Sequence, residues 1–253
     1  MKTIYNYITL LLLSIGMVSC SSSDTEEYTF SSPNVGALSI QTPLVNNEIP
    51  VLITKSANFD VLNPDNFIIE IYKQGESNYY KRYETFTQLK QEGTPLELPI
   101  GDYILKTFSC NPVAMLRDMP YFVGSKTFTI VAHEISTVSV ECKYQSIGVE
   151  IVLTDKFKSF FKDTYKIVIS TDSGLSAIYS KETPERVYLT ENCNYIKVSV
   201  DCTTKDNEVY PTRAYYFNKD GIDPNFNGDG PFTGEYFIIK IDTDNASGKA
   251  MIK

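Results

Sequence analysis

The chain is predicted to be all-β, built as two tandem β-sandwich domains with one short crossover helix. Three observations predict this. Apolar and polar residues alternate with period two over most of the chain; Ile196, Val198, Val200 and Cys202 face one way, Lys197, Ser199 and Asp201 the other. These segments are rich in Val, Ile, Tyr, Phe and Thr. Turn clusters such as Asn63-Pro64-Asp65-Asn66, Pro99-Ile100-Gly101-Asp102 and Thr171-Asp172-Ser173-Gly174 separate them at the spacing of short antiparallel strands.

In chain order, residues 1–19 read as a cleaved signal. Lys2 supplies a basic start. The apolar run Ile8–Val18, about 11 residues, is shorter than the roughly 20 a membrane span needs. Met17, Val18 and Ser19 lead directly into Cys20, a run similar to a bacterial lipobox. Cys20 is therefore expected to carry acyl chains that hold the protein in the outer membrane; two or three chains anchor stably where one does not. An ordinary secretory signal is the alternative, but no better cleavage site follows. Residues 20–33 form a flexible tether that opens Ser21-Ser22-Ser23-Asp24-Thr25-Glu26-Glu27. Residues 34–143 and 144–253 make the two sandwich-sized units, with one continuous two-sheet domain as the rival arrangement.

Strands are expected at Phe67–Tyr72, Tyr103–Cys110, Lys126–Ala132, Thr137–Cys142, Gly148–Leu153, Tyr165–Ser170, Arg186–Leu189, Tyr195–Cys202 and Tyr236–Asp242. The one helical stretch is Asp155–Asp163, with Phe157, Phe160 and Phe161 at i, i+3 and i+4 and Asp155 in position to cap it. Gly101 suits a turn that needs positive φ. Tyr103, just after it, is placed like a sandwich tyrosine whose hydroxyl returns to the backbone.

Composition narrows the function. A net charge of −8 opposes a nucleic-acid footprint. One histidine, His133, excludes multi-histidine metal sites, and its Ala-His-Glu context reads as a turn tip. Cys110, Cys142, Cys193 and Cys202 read as buried thiols, with a Cys110–Cys142 bridge left open. No enzymatic constellation stands out, so the chain reads as a non-enzyme.

Two binding candidates remain. Asp223, Asn225 and Asn227, followed by Gly228 and Asp229, fit the opening of a calcium loop, in which alternating oxygen ligands surround Ca²⁺. The twelfth position is Gly234 rather than Glu, so a polar hairpin loop is the plainer reading. Tyr79 and Tyr80, with Tyr215 and Tyr216, could present aromatic surface to a sugar or a protein. Sheet-packed aromatics are the plainer reading there too.

Several segments together resemble one family. Asn66–Tyr72 is similar to its FxVxIY strand, Leu98–Leu105 to its LPxGxYxL turn and strand, Pro120–Ile130 to its PYxxGSKxFxV run, and Val138–Lys143 to its VSVxCK strand. This is the Bacteroidetes lipoprotein family known as domain of unknown function 4493. The resemblance covers roughly residues 36–205. It has no established activity. By analogy it implies immunoglobulin- or transthyretin-like sandwiches, as in fimbrial subunits and anchors. It further implies an outward-facing lipoprotein, because the serine-then-acidic tether resembles the surface-export signal of such proteins; a plain flexible spacer on a periplasm-facing lipoprotein is the alternative. The implied work is adhesion or an anchoring role beside pilin-like partners, without a resident cofactor. The alternative is a carbohydrate-binding surface lipoprotein serving glycan uptake.

Overall fold

The computed structural model describes residues 28–46, 62–117, 119–184, 186–218, 221–222, 230–231, 233–243 and 250–252. Cys20 and the loop residues Asp223, Asn225, Asn227 and Asp229 lie outside them. Along the chain run β1 (Val35–Ile40), β2 (Leu44–Asn46), β3 (Ile68–Lys73), β4 (Lys81–Tyr83), α1 (Phe86–Glu92), β5 (Leu96–Pro99), β6 (Gly101–Phe108), β7 (Met115–Arg117), β8 (Phe122–Ile130), β9 (Ile135–Val138), β10 (Glu141–Tyr144), β11 (Ile147–Leu153), α2 (Asp155–Phe160), β12 (Lys166–Thr171), β13 (Ser176–Tyr179), β14 (Val187–Leu189), β15 (Ile196–Asp201), β16 (Arg213–Asn218), β17 (Gly221–Ile222), β18 (Tyr236–Thr243) and β19 (Ala250–Ile252).

The strands form four sheets, ordered β5-β1-β9, β2-β10-β8-β6-β3-β4, β19-β18-β11-β14-β7 and β13-β12-β15-β16-β17. Alternation does what period two demands. Ile69 and Ile71 of β3, Tyr103 and Leu105 of β6 and Phe122 of β8 enter one core with Leu38 and Leu98. Val149 and Ile151 of β11, Ile167 and Ile169 of β12, and Ile196, Val198 and Val200 of β15 enter the other. The all-β, β-sandwich expectation holds.

The expected strand Thr137–Cys142 is in fact two. It breaks at Ser139–Val140, so that β9 lies in the three-stranded sheet and β10 in the six-stranded one. The opening segment does the same beside it. β1 runs parallel to β9 and β2 parallel to β10, with Pro43 in the gap between β1 and β2. A corner that changes sheets needs such a break in the ladder.

One helix was expected, and the described residues hold two α-helices. Helix α1 buries only Phe86 and Leu89, three residues apart, so its seven residues carry too little periodicity to announce it. Its visible signal is the cap: the Thr85 hydroxyl accepts from Gln88 N–H at 3.1 Å, and Gln88 Oε1 reaches back to Glu84 N–H at 2.9 Å. Helix α2 crosses from the β11 sheet to the β12 sheet as expected. Its cap is Thr154, not Asp155, because the Thr154 hydroxyl accepts from Phe157 N–H at 3.2 Å. Phe157 and Phe161 are buried while Phe160 stays exposed, since the chain leaves the helix at Phe161.

Two further devices match the sequence. Gly101 adopts φ +146°, and the Tyr103 hydroxyl donates to the Pro99 carbonyl at 2.9 Å.

The cores meet through tyrosines. Tyr188 and Tyr236 of the β11 sheet pack with Tyr144 and Phe122 into the first core. Gly148 is the thin point of this seam: a Cβ there would lie 2.1 Å from a Tyr236 ring carbon and 2.8 Å from the Tyr144 hydroxyl. Gly148→Ala should therefore overpack the seam and destabilise the protein by about 1–3 kcal/mol, read as a lowered urea midpoint.

Candidate binding face

The outward residues of the six-stranded sheet are less uniform than the inward ones. Glu70 and Tyr72 come from β3, Arg82 from β4, Lys106 and Phe108 from β6, and Val123 and Ser125 from β8. Asn111, Pro112 and Tyr121 close one side, and together they line an open depression of about 520 Å³. That size falls in the range of small-molecule sites, roughly 300–1,000 Å³.

Its wall is organised by a carboxylate. Glu70 is only 6% exposed. Its Oε1 accepts from Arg82 Nη1 at 2.5 Å and its Oε2 accepts from the Tyr72 hydroxyl at 2.5 Å. A carboxylate placed so deep requires such partners. Arg82 also donates through Nε to Glu84 at 2.8 Å and through Nη2 to Asn111 Oδ1 at 2.6 Å. The planar guanidinium thus reads three acceptors at once. Burial, followed by the bond to Glu70, pushes the Tyr72 phenol up to about 12. The bond to Arg82 holds the Glu84 carboxyl below its ordinary value. Lys106 Nζ sits 4.4 Å from the centre of the Tyr72 ring.

The tyrosines named from the sequence do not share a surface. Tyr79 and Tyr80 flank the β3–β4 turn and are 53% and 40% exposed. Tyr80 lies under Lys73 and against Tyr103, and Tyr79 lies near the Arg82 guanidinium. Tyr215 and Tyr216 sit on β16 in another sheet. Being adjacent in a strand, they point to opposite faces: Tyr215 packs on the second core, and Tyr216 meets Tyr195 and Lys197. His133 occupies an exposed turn with φ 58° and packs edge-on against Phe30 at 5.3 Å.

Cys110, Cys142, Cys193 and Cys202 are all free thiols, so no bridge joins Cys110 to Cys142. Burial pushes the Cys142 and Cys193 thiols up to about 12 and Cys202 up to about 11. Among the described residues no cluster of three or more His, Cys, Asp or Glu side chains could hold a metal ion, and no helix is long and apolar enough to cross a membrane.

The depression escaped the sequence reading. Its visible signal was Glu70, a charged residue in the otherwise apolar run Phe67-Ile68-Ile69-Glu70-Ile71.

A family described as "Domain of unknown function (DUF4493)" matches residues 34–249. No curated protein matches the chain. Among solved structures, a "putative cell adhesion protein" of Bacteroides fragilis is 11% identical, with 85% of this chain and 96% of that one covered, at a TM-score of 0.47. A "fimbrial assembly protein" of Parabacteroides distasonis is 10% identical over 87% and 98%, at 0.46. "Putative polysaccharide binding proteins" of Bacteroides thetaiotaomicron give 10% over 86% and 98%, at 0.41. At these values the likenesses carry no argument about what this chain binds.

Three outcomes follow from the site's chemistry. Glu70→Leu strands Arg82 and the Tyr72 hydroxyl and should cost about 1–3 kcal/mol, whereas Glu84→Ala should barely move the urea midpoint. Native Cys142, Cys193 and Cys202 should resist a thiol reagent at pH 8 and react rapidly in urea, as followed by peptide mapping. The carboxyls of Glu84, Glu92 and Asp163 are held low by Arg82, Lys81 and Lys181. A depressed carboxyl stabilises the fold above its unfolded value and loses that contribution as pH falls through its folded one. Because these carboxyls are largely exposed, urea midpoints should hold from about pH 7 to 5 and fall only slightly through their titration below about pH 4.

Proposed function

The chain belongs to the DUF4493 family, and on that premise we propose that it is a lipid-anchored, outward-facing surface protein. Its work is adhesion or an anchoring role in a fimbria-like surface assembly, without enzymatic turnover. The observation that carries this reading is Cys20, placed directly after a short apolar run and before a serine-rich acidic tether. The described chemistry supports the non-enzymatic part. His133 stands on an exposed turn against a phenylalanine ring. The buried thiols are protonated at neutral pH. Glu70 is committed to Arg82 and Tyr72.

Contact with partners is placed on loops and sheet faces rather than on a donated strand. Among the described residues every edge strand (β2, β4, β5, β7, β9, β13, β17 and β19) has four residues or fewer. Short edges are a means of avoiding strand addition. The second reading, a carbohydrate-binding lipoprotein, is favoured by the mixed polar and aromatic depression on the six-stranded sheet.

Anchoring is tested by growing cells with an alkyne-tagged fatty acid. The wild-type protein should take the label and be removed from intact cells by added protease. Cys20→Ala should do neither and should keep its first 19 residues; equal labelling of both proteins overturns the anchor. Crosslinking on intact cells then separates the roles. Pilin-like subunits support the assembly role, and a glycan transporter with its hydrolases supports the second reading.

A further inference from the structure

The depression on the six-stranded sheet holds an unequal set of hydrogen-bonding groups. Its strongest acceptors are taken. Both Glu70 oxygens are engaged, by Arg82 and by Tyr72, and Asn111 Oδ1 accepts from Arg82. Its donors are not. Lys106 Nζ, the Ser125 and Tyr121 hydroxyls and the Asn111 amide nitrogen line the depression, and none has a hydrogen-bond partner among the described residues. Charge is unequal too. Arg82 is already shared by Glu70 and Glu84, which leaves Lys106 as the cation of the described lining that no described carboxylate meets. Among the described residues Lys106 has no ion pair, and its Nζ lies over the face of Tyr72.

A complementary ligand must bring one negative charge and several acceptors, with an apolar face for Pro112. A sugar ring that carries a carboxylate has all three. Each sugar hydroxyl can accept as well as donate, so none need be stranded. An acidic peptide also brings the charge, but it has no flat C–H ring face to lay on Pro112. We propose that this depression is a subsite for a uronic-acid residue of an acidic polysaccharide. The carboxylate lies at Lys106, ring and hydroxyl oxygens accept from Tyr121, Ser125 and Asn111, and the C–H face rests on Pro112. This rests on the second reading above and names its ligand class; failure of the acidic sugar alone, with neutral digalactose still bound, would leave that reading standing and remove only this assignment.

The test is calorimetric titration of the full-length protein in detergent with digalacturonate, neutral digalactose and a glutamate-rich peptide. Digalacturonate should bind with a dissociation constant around the millimolar range, about −4 kcal/mol. Lys106→Gln, at a half-exposed position, should keep the wild-type unfolding midpoint and weaken that binding about tenfold or more. Tyr121→Phe, which loses a donor but no charge, should weaken it less. Lys197→Gln removes the equivalent lysine over Tyr216 on the other sheet and should change nothing. Digalactose should bind more weakly and be indifferent to Lys106→Gln. Absence of digalacturonate binding, binding unaffected by Lys106→Gln, or tighter binding of the peptide would each overturn the assignment.

Discussion

Three residues of β7 hold much of this architecture in place. Met115–Arg117 leave the sheets that the surrounding chain builds and pair with Val187–Leu189, at the edge of the β11 sheet. Thr190 extends the attachment, donating from its N–H to Ala114 O at 3.3 Å and from its hydroxyl to Val113 O at 2.8 Å. The connection between β6 and β8 would otherwise be a long excursion from one sheet edge, with many backbone groups to satisfy. Pairing satisfies them and fixes the path. That path brings Asn111, Pro112 and Tyr121 to the outer face of the six-stranded sheet, where they become the side of the depression.

The tyrosine seam enforces the same relation from inside. Ser146 is fully buried, and its hydroxyl accepts from Tyr121 N–H at 3.1 Å. Two residues later Gly148 leaves room for the Tyr236 ring. The Tyr236 hydroxyl donates to Glu150 Oε2 at 2.7 Å, where Arg186 also arrives at 3.1 Å. Burial pushes the Tyr236 phenol far up, so at any physiological pH it is a donor. The seam is thus apolar in its rings and seats the Tyr236 hydroxyl on a carboxylate, the arrangement that lets that tyrosine occupy a core.

Glu70 illustrates how a binding face differs from a core. The net stability Glu70 supplies is small, because its desolvation offsets much of its attraction to Arg82; removing it alone is still costly, since Arg82 and the Tyr72 hydroxyl then lose their acceptor. What it provides is orientation. With Glu70 and Glu84 holding the guanidinium, Arg82 can hold Asn111, and the depression keeps its shape without a ligand. Such preorganisation lowers the cost of binding.

Strands β3, β6, β8, β11, β12, β14, β15 and β18, the turn at Gly101, the returning hydroxyl of Tyr103 and the aromatic helix after Leu153 were legible in the sequence, because each rests on a local rule. Side chains alternate along any strand, glycine alone takes positive φ freely, and a short helix advertises itself when three aromatics share its face. Helix α1 was hidden because only two of its seven residues are buried. The break at Ser139–Val140 was hidden because alternation runs straight through it. Which sheet each half joins is set by parallel pairing with residues about 100 positions earlier. The depression was hidden for the same reason: Glu70, Arg82, Lys106, Asn111, Tyr121 and Ser125 are scattered along the chain and meet only when four strands and one excursion are in register. By itself the sequence determined which residues turn inward. Only the tertiary structure decided which outward ones meet, because that depends on long-range hydrogen-bond pairing that no local pattern encodes.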